Sequence, residues 1–228
     1  MSTACLPDNR EIRILFENEM AALGGAVQDV YDDGSQLFLR AVIARSTDVH
    51  PGDSVRAGVA LRTCGDDVLL HPYTFRQVCK NGMIMAHAIE TRRVERVEPF
   101  ASEDAVARVM SELREAVSAC SGERAFSRAA NAMRSASDVE ADMVLQMMPL
   151  VSQLPTHLAA EIVRAILSRF YSGRDRSLFG AMNAVTSVAR DTRDPVTRWQ
   201  LEELGGGMLA RLAPKPRPAP TAAECVMA

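Results

Sequence analysis

Val55-Arg56-Ala57-Gly58-Val59-Ala60-Leu61-Arg62 places an apolar residue at every second position, the period of a strand whose alternate side chains face a core. Pro51-Gly52-Asp53 supplies a turn before it and Gly65-Asp66-Asp67 a turn after it, and Val68–Tyr73 reads as the strand that completes the pair. Towards the N-terminus, Ala26–Tyr31 and Gln36–Arg45 read as two further strands around Asp32-Asp33-Gly34-Ser35, a tight reversal of the Asp-Gly kind. Before them, Ile12, Leu15, Phe16, Met20 and Leu23 keep close to the helical period over residues 9–23, with Asp8 or Asn9 as N-cap and Gly24-Gly25 as the stop. Three or more strands with one apolar face make an independently stable sheet. The polar face of the central strand carries Arg56 and Arg62, so a basic sheet face is expected.

Towards the C-terminus, Phe75, Val78 and Cys79 fit a short helix over Thr74–Gly82 that Asn81-Gly82 would end in a left-handed conformation. Met83–Val97 then reads as one long strand or a strand pair. Pro99 and Ser102-Glu103-Asp104 open a helix that runs to about Cys120, with Ser102 as N-cap. From there helical periodicity recurs at roughly 123–134, 137–153, 156–171, 177–190 and 196–212, with Pro155 and Pro195 at helix starts. The expected fold class is α+β: an N-terminal antiparallel or mixed β-sheet with a short helix, then a helical half of about five to six helices. Residues 1–100 form the β-rich region and 101–212 the helical region packed on it as one composite domain. Residues 213–228 are a proline-rich tail with too few apolar groups to order itself.

Composition narrows the function classes. The 228 residues, 47% hydrophobic and 24% charged, are enough to bury a core without disulfide or metal support. A net charge of -3 argues against coating a nucleic acid by overall charge, although local basic stripes stay open. Only Lys80 and Lys215 among the basic residues are lysines, which fits the arginine bias of a GC-rich genome. Cys5, Cys64, Cys79, Cys120 and Cys225 show no paired spacing, so reduced thiols are expected and a disulfide framework is not. The chain shows neither a signal-peptide pattern nor a long apolar run, and a cytoplasmic location without membrane partners follows as an expectation.

Few residue sets point to chemistry. His50, His71, His87 and His157 lack the i, i+4 spacing of a helical metal site, so neither a metal nor a cofactor is expected. Cys79 stands between Arg76 and Lys80, where cations favour a thiolate, but a buried structural cysteine is the commoner case. Gly205-Gly206-Gly207 follows no strand and reads as a helix end or hinge rather than a phosphate cradle. Met133, Met143, Met147 and Met148 cluster near one helix, as core filling or as a self-association surface. Arg40, Arg45, Arg56, Arg62, Arg76, Lys80, Arg92, Arg93 and Arg96 lie on or beside the strands, a row able to follow a phosphate backbone. The simpler alternative is a solvated sheet face diluted by Glu90, Glu95 and Glu98.

Two stretches resemble a known family. Phe75-Arg76-Gln77-Val78-Cys79-Lys80-Asn81-Gly82-Met83 is similar to the Arg-x-Val-Cys-x-Asn-Gly signature of the phage and plasmid-like proteins grouped as domain of unknown function 932. Phe179-Gly180-Ala181-Met182-Asn183-Ala184-Val185-Thr186 is similar to that family's Asn-Ala-(Val/Ile)-Thr helix, although Leu178-Phe179 stands where many members carry Trp. The resemblance covers about residues 30–212 and implies a mobile-element setting and a link to DNA recombination or replication, with no catalytic residue to transfer. Arg76, Cys79, Asn81, Gly82, Asn183 and Thr186 are the matching positions. Asn183 and Thr186, at i and i+3, share a helix face from which they are expected to hydrogen-bond to the Asn81 turn.

Three readings follow. The first is a non-enzymatic accessory protein that binds single-stranded DNA through Arg40, Arg56, Arg62, Arg76, Lys80, Arg92, Arg93 and Arg96, and forms a homo-oligomer through its helices. The second is a protein-interaction or regulatory module that presents a Met-rich helical surface to a partner or to itself. The third, an enzyme built on Arg76, Cys79 and a distant histidine, has the least behind it.

Overall fold

A computed structural model describes residues 7–77, 80–85, 91–95, 103–154, 156–209 and 212. Helix α1, Asn9–Ala22, opens with a capping box: the Asp8 carboxylate accepts from the Glu11 backbone N–H at 2.8 Å and the Glu11 carboxylate from that of Asp8 at 3.0 Å. Ile12, Leu15, Phe16 and Met20 line its buried face. Strands β1 (Ala26–Asp32) and β2 (Leu37–His50) follow as an antiparallel hairpin. The Asp33 carboxylate organises its turn, accepting from the Ser35 and Gln36 backbone N–H groups at 2.9 and 2.7 Å and from the Tyr31 hydroxyl at 3.0 Å.

Strands β3 (Asp53–Cys64) and β4 (Asp67–Arg76) extend the meander, with Val59 opposite Ala41 on one side and Pro72 on the other. Beyond β4 the chain does not form the helix expected over Thr74–Gly82. Strand β4 runs on to Arg76 because Val55 of β3 is still there to pair with it, and β5 (Asn81–Ile84) turns straight back along it. Among the described residues of this reversal the left-handed one is Lys80, at φ 51°, not Asn81 or Gly82. Strand β6 (Arg92–Glu95) pairs with the other end of β4, so the region read as one strand or a pair yields two short strands that share a neighbour. The sheet order is β1-β2-β3-β4-β5, with β6 beside β4.

Helices α2 (Glu103–Ser121), α3 (Glu123–Ala136), α4 (Met143–Gln153), α5 (Thr156–Ser172), α6 (Leu178–Asp191) and α7 (Pro195–Leu209) complete the α+β fold. One sheet face, with Leu39, Ala41, Val59, Leu61 and Leu70, shares a continuous apolar core with α1, α2, α3 and α6. The expected helix at 137–153 starts only at Met143, because Val139–Ala141 is drawn into a short bridge with Arg176–Leu178. Helix α7 packs on α6 and β5 and reaches the second sheet face, where Trp199 is buried among Phe38, Val42, Ala60, Tyr73 and Ile84.

Gly205–Gly207 lie inside α7 and do not end it. A side chain at Gly206 would put its Cβ 1.9 Å from the Ile84 carbonyl oxygen, and one at Gly205 2.7 Å from the Thr186 methyl. These glycines serve close packing of α7 against β5 and α6. Among the described residues no helix is long and apolar enough to cross a membrane. The Ser102 cap and the 213–228 tail lie outside the described residues.

Candidate functional site

Strand register settles where the arginines sit. Arg62 lies opposite Phe38 and Leu69, Arg40 opposite Ala60, and Arg56 opposite Phe75, so all three belong to the second sheet face, and Arg93, opposite Leu69, joins them. Arg76 and Arg92 pair with Val55 and Leu70 and belong to the first face. Lys80 is exposed in the β4–β5 turn, and Arg96 and Cys79 lie outside the described residues.

The second face is not an open basic surface, because α7 brings carboxylates onto it. Arg40 is only 1% exposed; its Nε donates to Glu202 at 2.6 Å and its Nη1 to Asp29 at 2.8 Å. Burial pulls the Arg40 pKa down, but Glu202 and Asp29 outweigh it and the net direction is upward, so the buried guanidinium stays charged. Burial, followed by the charge of Glu202, pushes the neighbouring Tyr73 hydroxyl far up and holds it neutral. Arg40 and Arg62 stack on Trp199, 5.2 and 5.6 Å from the ring centroid, and Arg62 approaches Glu203 at 3.7 Å. Arg56 donates to the Ile43 carbonyl, and Arg93 is held by Asp67 at 2.8 Å. Trp199, Glu202 and Glu203 are the residues that sequence reading missed. Their spacing along one helix is visible, but nothing local says which surface that helix meets.

The positions of the two resembling stretches do come together. Arg76, Asn81, Asn183 and Thr186 line a small cavity of about 10 Å³, the space of one water. Their bonds differ from expectation. The Thr186 hydroxyl donates to the Met182 carbonyl of its own helix, and Asn81 Oδ1 accepts from Arg190 at 3.4 Å. Asn183 Oδ1 and Thr74 Oγ1 are sealed from solvent with no hydrogen-bond partner among the described residues. Gly82 is required for a different reason than helix ending: a Cβ there would lie 1.8 Å from the Tyr73 hydroxyl oxygen. Outside this cavity, Arg76, Arg169, Arg174, Asn183 and Ser187 border an open cleft of about 410 Å³.

The third feature is apolar. Helices α4 and α5 enclose a groove of about 530 Å³ lined by Met143, Val144, Met147, Met148, Val163 and Leu167. Val144 is 79% exposed and Met148 62%, and Val151 and Tyr171 continue the patch. Between Asp142 and Glu161 the chain carries no acidic residue, lysine or arginine. Met133, grouped with these methionines by sequence, is instead buried beside the Arg76 cavity. A helix apolar on both faces, with one face packed and one bare, is the pattern of a surface that a partner covers.

No protein-family model matches the chain, and no curated protein or solved structure is detectably similar to it.

Proposed function

We propose that this chain is a non-enzymatic interaction module that works by pairing with a second copy of itself through the α4–α5 groove. The observation that carries the reading is the uncharged, Met-lined surface on which Val144 and Met148 project into solvent. Large contiguous apolar patches on a soluble fold mark contact surfaces, and methionine adapts its shape to what it meets. A charged partner would find nothing to pair with along this strip. A two-fold axis, by contrast, sets the strip against itself with no like charges brought together. The net charge of -3 adds little repulsion at physiological salt. The resemblance of residues 75–83 and 179–186 suggests a phage or plasmid element as the setting for such a pair.

Single-strand binding through the arginine row has less support, since Arg40 is buried and Arg62, Arg76 and Arg93 each face a carboxylate. Light scattering on the purified chain at about 1 to 100 µM checks the self-association reading. It predicts a mass of twice 24.8 kDa for the unaltered chain. Val144→Glu or Met148→Lys, both at exposed positions, returns it to the single mass without lowering the melting temperature. A single mass for the unaltered chain throughout that range contradicts the reading.

A further inference from the structure

We propose that the cleft bordered by Arg76, Arg169, Arg174, Asn183 and Ser187 binds the phosphate group of a small phosphorylated ligand. The three guanidinium groups come from three separate elements: the end of β4, the last turn of α5 and the α5–α6 connection. Three carboxylates stand nearby, and Asp175 among them lines the cleft. Asp53 holds Arg76 at 2.5 Å, and its partner's guanidinium also lies over the Phe179 ring. Asp191 is shared between Arg169 and Arg190, and these two cations draw its pKa down. Asp175 accepts the Ser177 backbone N–H at 2.9 Å inside its own turn. Arg174 is exposed and has no partner among the described residues. Arg76, Arg169, Arg174 and Arg190 thus stand against Asp53, Asp175 and Asp191, a surplus of one positive charge.

The backbone carbonyls beside the cleft are themselves covered. Helix α5 ends beside the cleft, but Arg176 covers its last carbonyls, donating to Phe170, Tyr171 and Gly173 at 2.5 to 2.9 Å. Helix α6 borders the cleft along its flank, with Phe179, Gly180, Asn183, Ala184 and Ser187 in the wall. Ser187 accepts from Arg169 at 2.6 Å, which leaves its own hydroxyl proton to donate. Asn183 also borders the cleft, with its amide oxygen sealed from solvent.

Arginines that border one cleft from three elements suit a tetrahedral oxyanion better than a flat carboxylate, which one arginine satisfies in a fork. A volume of about 410 Å³ exceeds what inorganic phosphate needs and leaves room for the group that carries it. The shared chemistry is a terminal phosphate, whether on a small metabolite or on the end of a short oligonucleotide.

Isothermal calorimetry at constant ionic strength tests this with inorganic phosphate, a 5′-phosphorylated oligothymidylate of three nucleotides, and the same oligonucleotide without its terminal phosphate. Saturable phosphate binding is expected, weakened about tenfold in Arg174→Gln, the usual cost of one charge-assisted hydrogen bond. Arg10→Gln, at an exposed position on α1, leaves it unchanged. Tighter binding of the phosphorylated oligonucleotide than of inorganic phosphate assigns the site to nucleic-acid ends, and equal binding to small phosphates; either result supports a phosphate site. No heat of binding up to about 10 mM phosphate, equal binding by the unphosphorylated oligonucleotide, or unaltered affinity in Arg174→Gln overturns it. Melting curves of both variants, expected to match the parent, exclude unfolding as the cause of any loss.

Discussion

Gly206 and Gly207 are neighbours in α7, yet a methyl group has opposite consequences at the two. At Gly206 it would overlap the Ile84 carbonyl oxygen, and because both sides of that contact are backbone, neither yields easily. Gly206→Ala is expected to cost about 2 kcal/mol or more by urea denaturation. At Gly207 the space is open, so Gly207→Ala removes only the flexibility of a helical glycine and gains about 0.5–1 kcal/mol. The Arg40–Glu202 pair is a second residue-scale case, since both side chains are 1% exposed. Arg40→Met leaves the Glu202 carboxylate buried with Arg198 as its one remaining ion-pair partner among the described residues, and a loss of roughly 3 kcal/mol is expected. Adding Glu202→Leu recovers part of that loss, because the second change removes the stranded charge.

Asp33 provides the pH signature. Hydrogen bonds from Gln36 and Ser35 hold its carboxyl down to about 2, below its ordinary value. A depressed carboxylate contributes stability that is present above the unfolded value and is lost as pH falls through the folded one. The contribution therefore disappears between about pH 4 and pH 2. The melting temperature of Asp33→Asn should lie below that of the parent at pH 5, and the two should converge at pH 2. A gap that stays constant over that range would contradict this role for the turn.

Among the elements, those with a complete local signal were legible. The alternation at 55–62 is a period of two that needs no distant partner to be seen, and the Asp8–Glu11 capping box marks the start of α1 within four residues. The segment at 74–82 was not legible, because its spacing fits a helix and the reason it is a strand is Val55, some twenty residues back, lying across from Arg76. Alternation likewise tells that Arg40, Arg56 and Arg62 share a face, but not that α7 lies on it. That depends on Trp199 and Glu202, more than a hundred residues further on. At the junction of β5 and α6, Arg76, Asn81, Asn183 and Thr186 line one small cavity. Their bonding was not legible: the residue that reaches Asn81 is Arg190, one turn beyond Thr186.

For the molecule as a whole, the sheet and helices account for the burial of most large apolar side chains, and α4 stands apart from that pattern. Met143 and Met147 point inward while Val144, Met148 and Val151 point out, and no charged residue breaks the strip. If a second copy covers it, opposite charges placed on two copies should recover the pairing that either charge alone destroys. Native mass spectrometry of Met148→Lys, Met148→Glu and their equimolar mixture measures this most directly. The account predicts that each variant alone flies at one chain mass, near 24.8 kDa, and that the mixture yields a one-to-one pair at twice that mass. Variants that stay paired on their own, or a mixture that stays single, would contradict it.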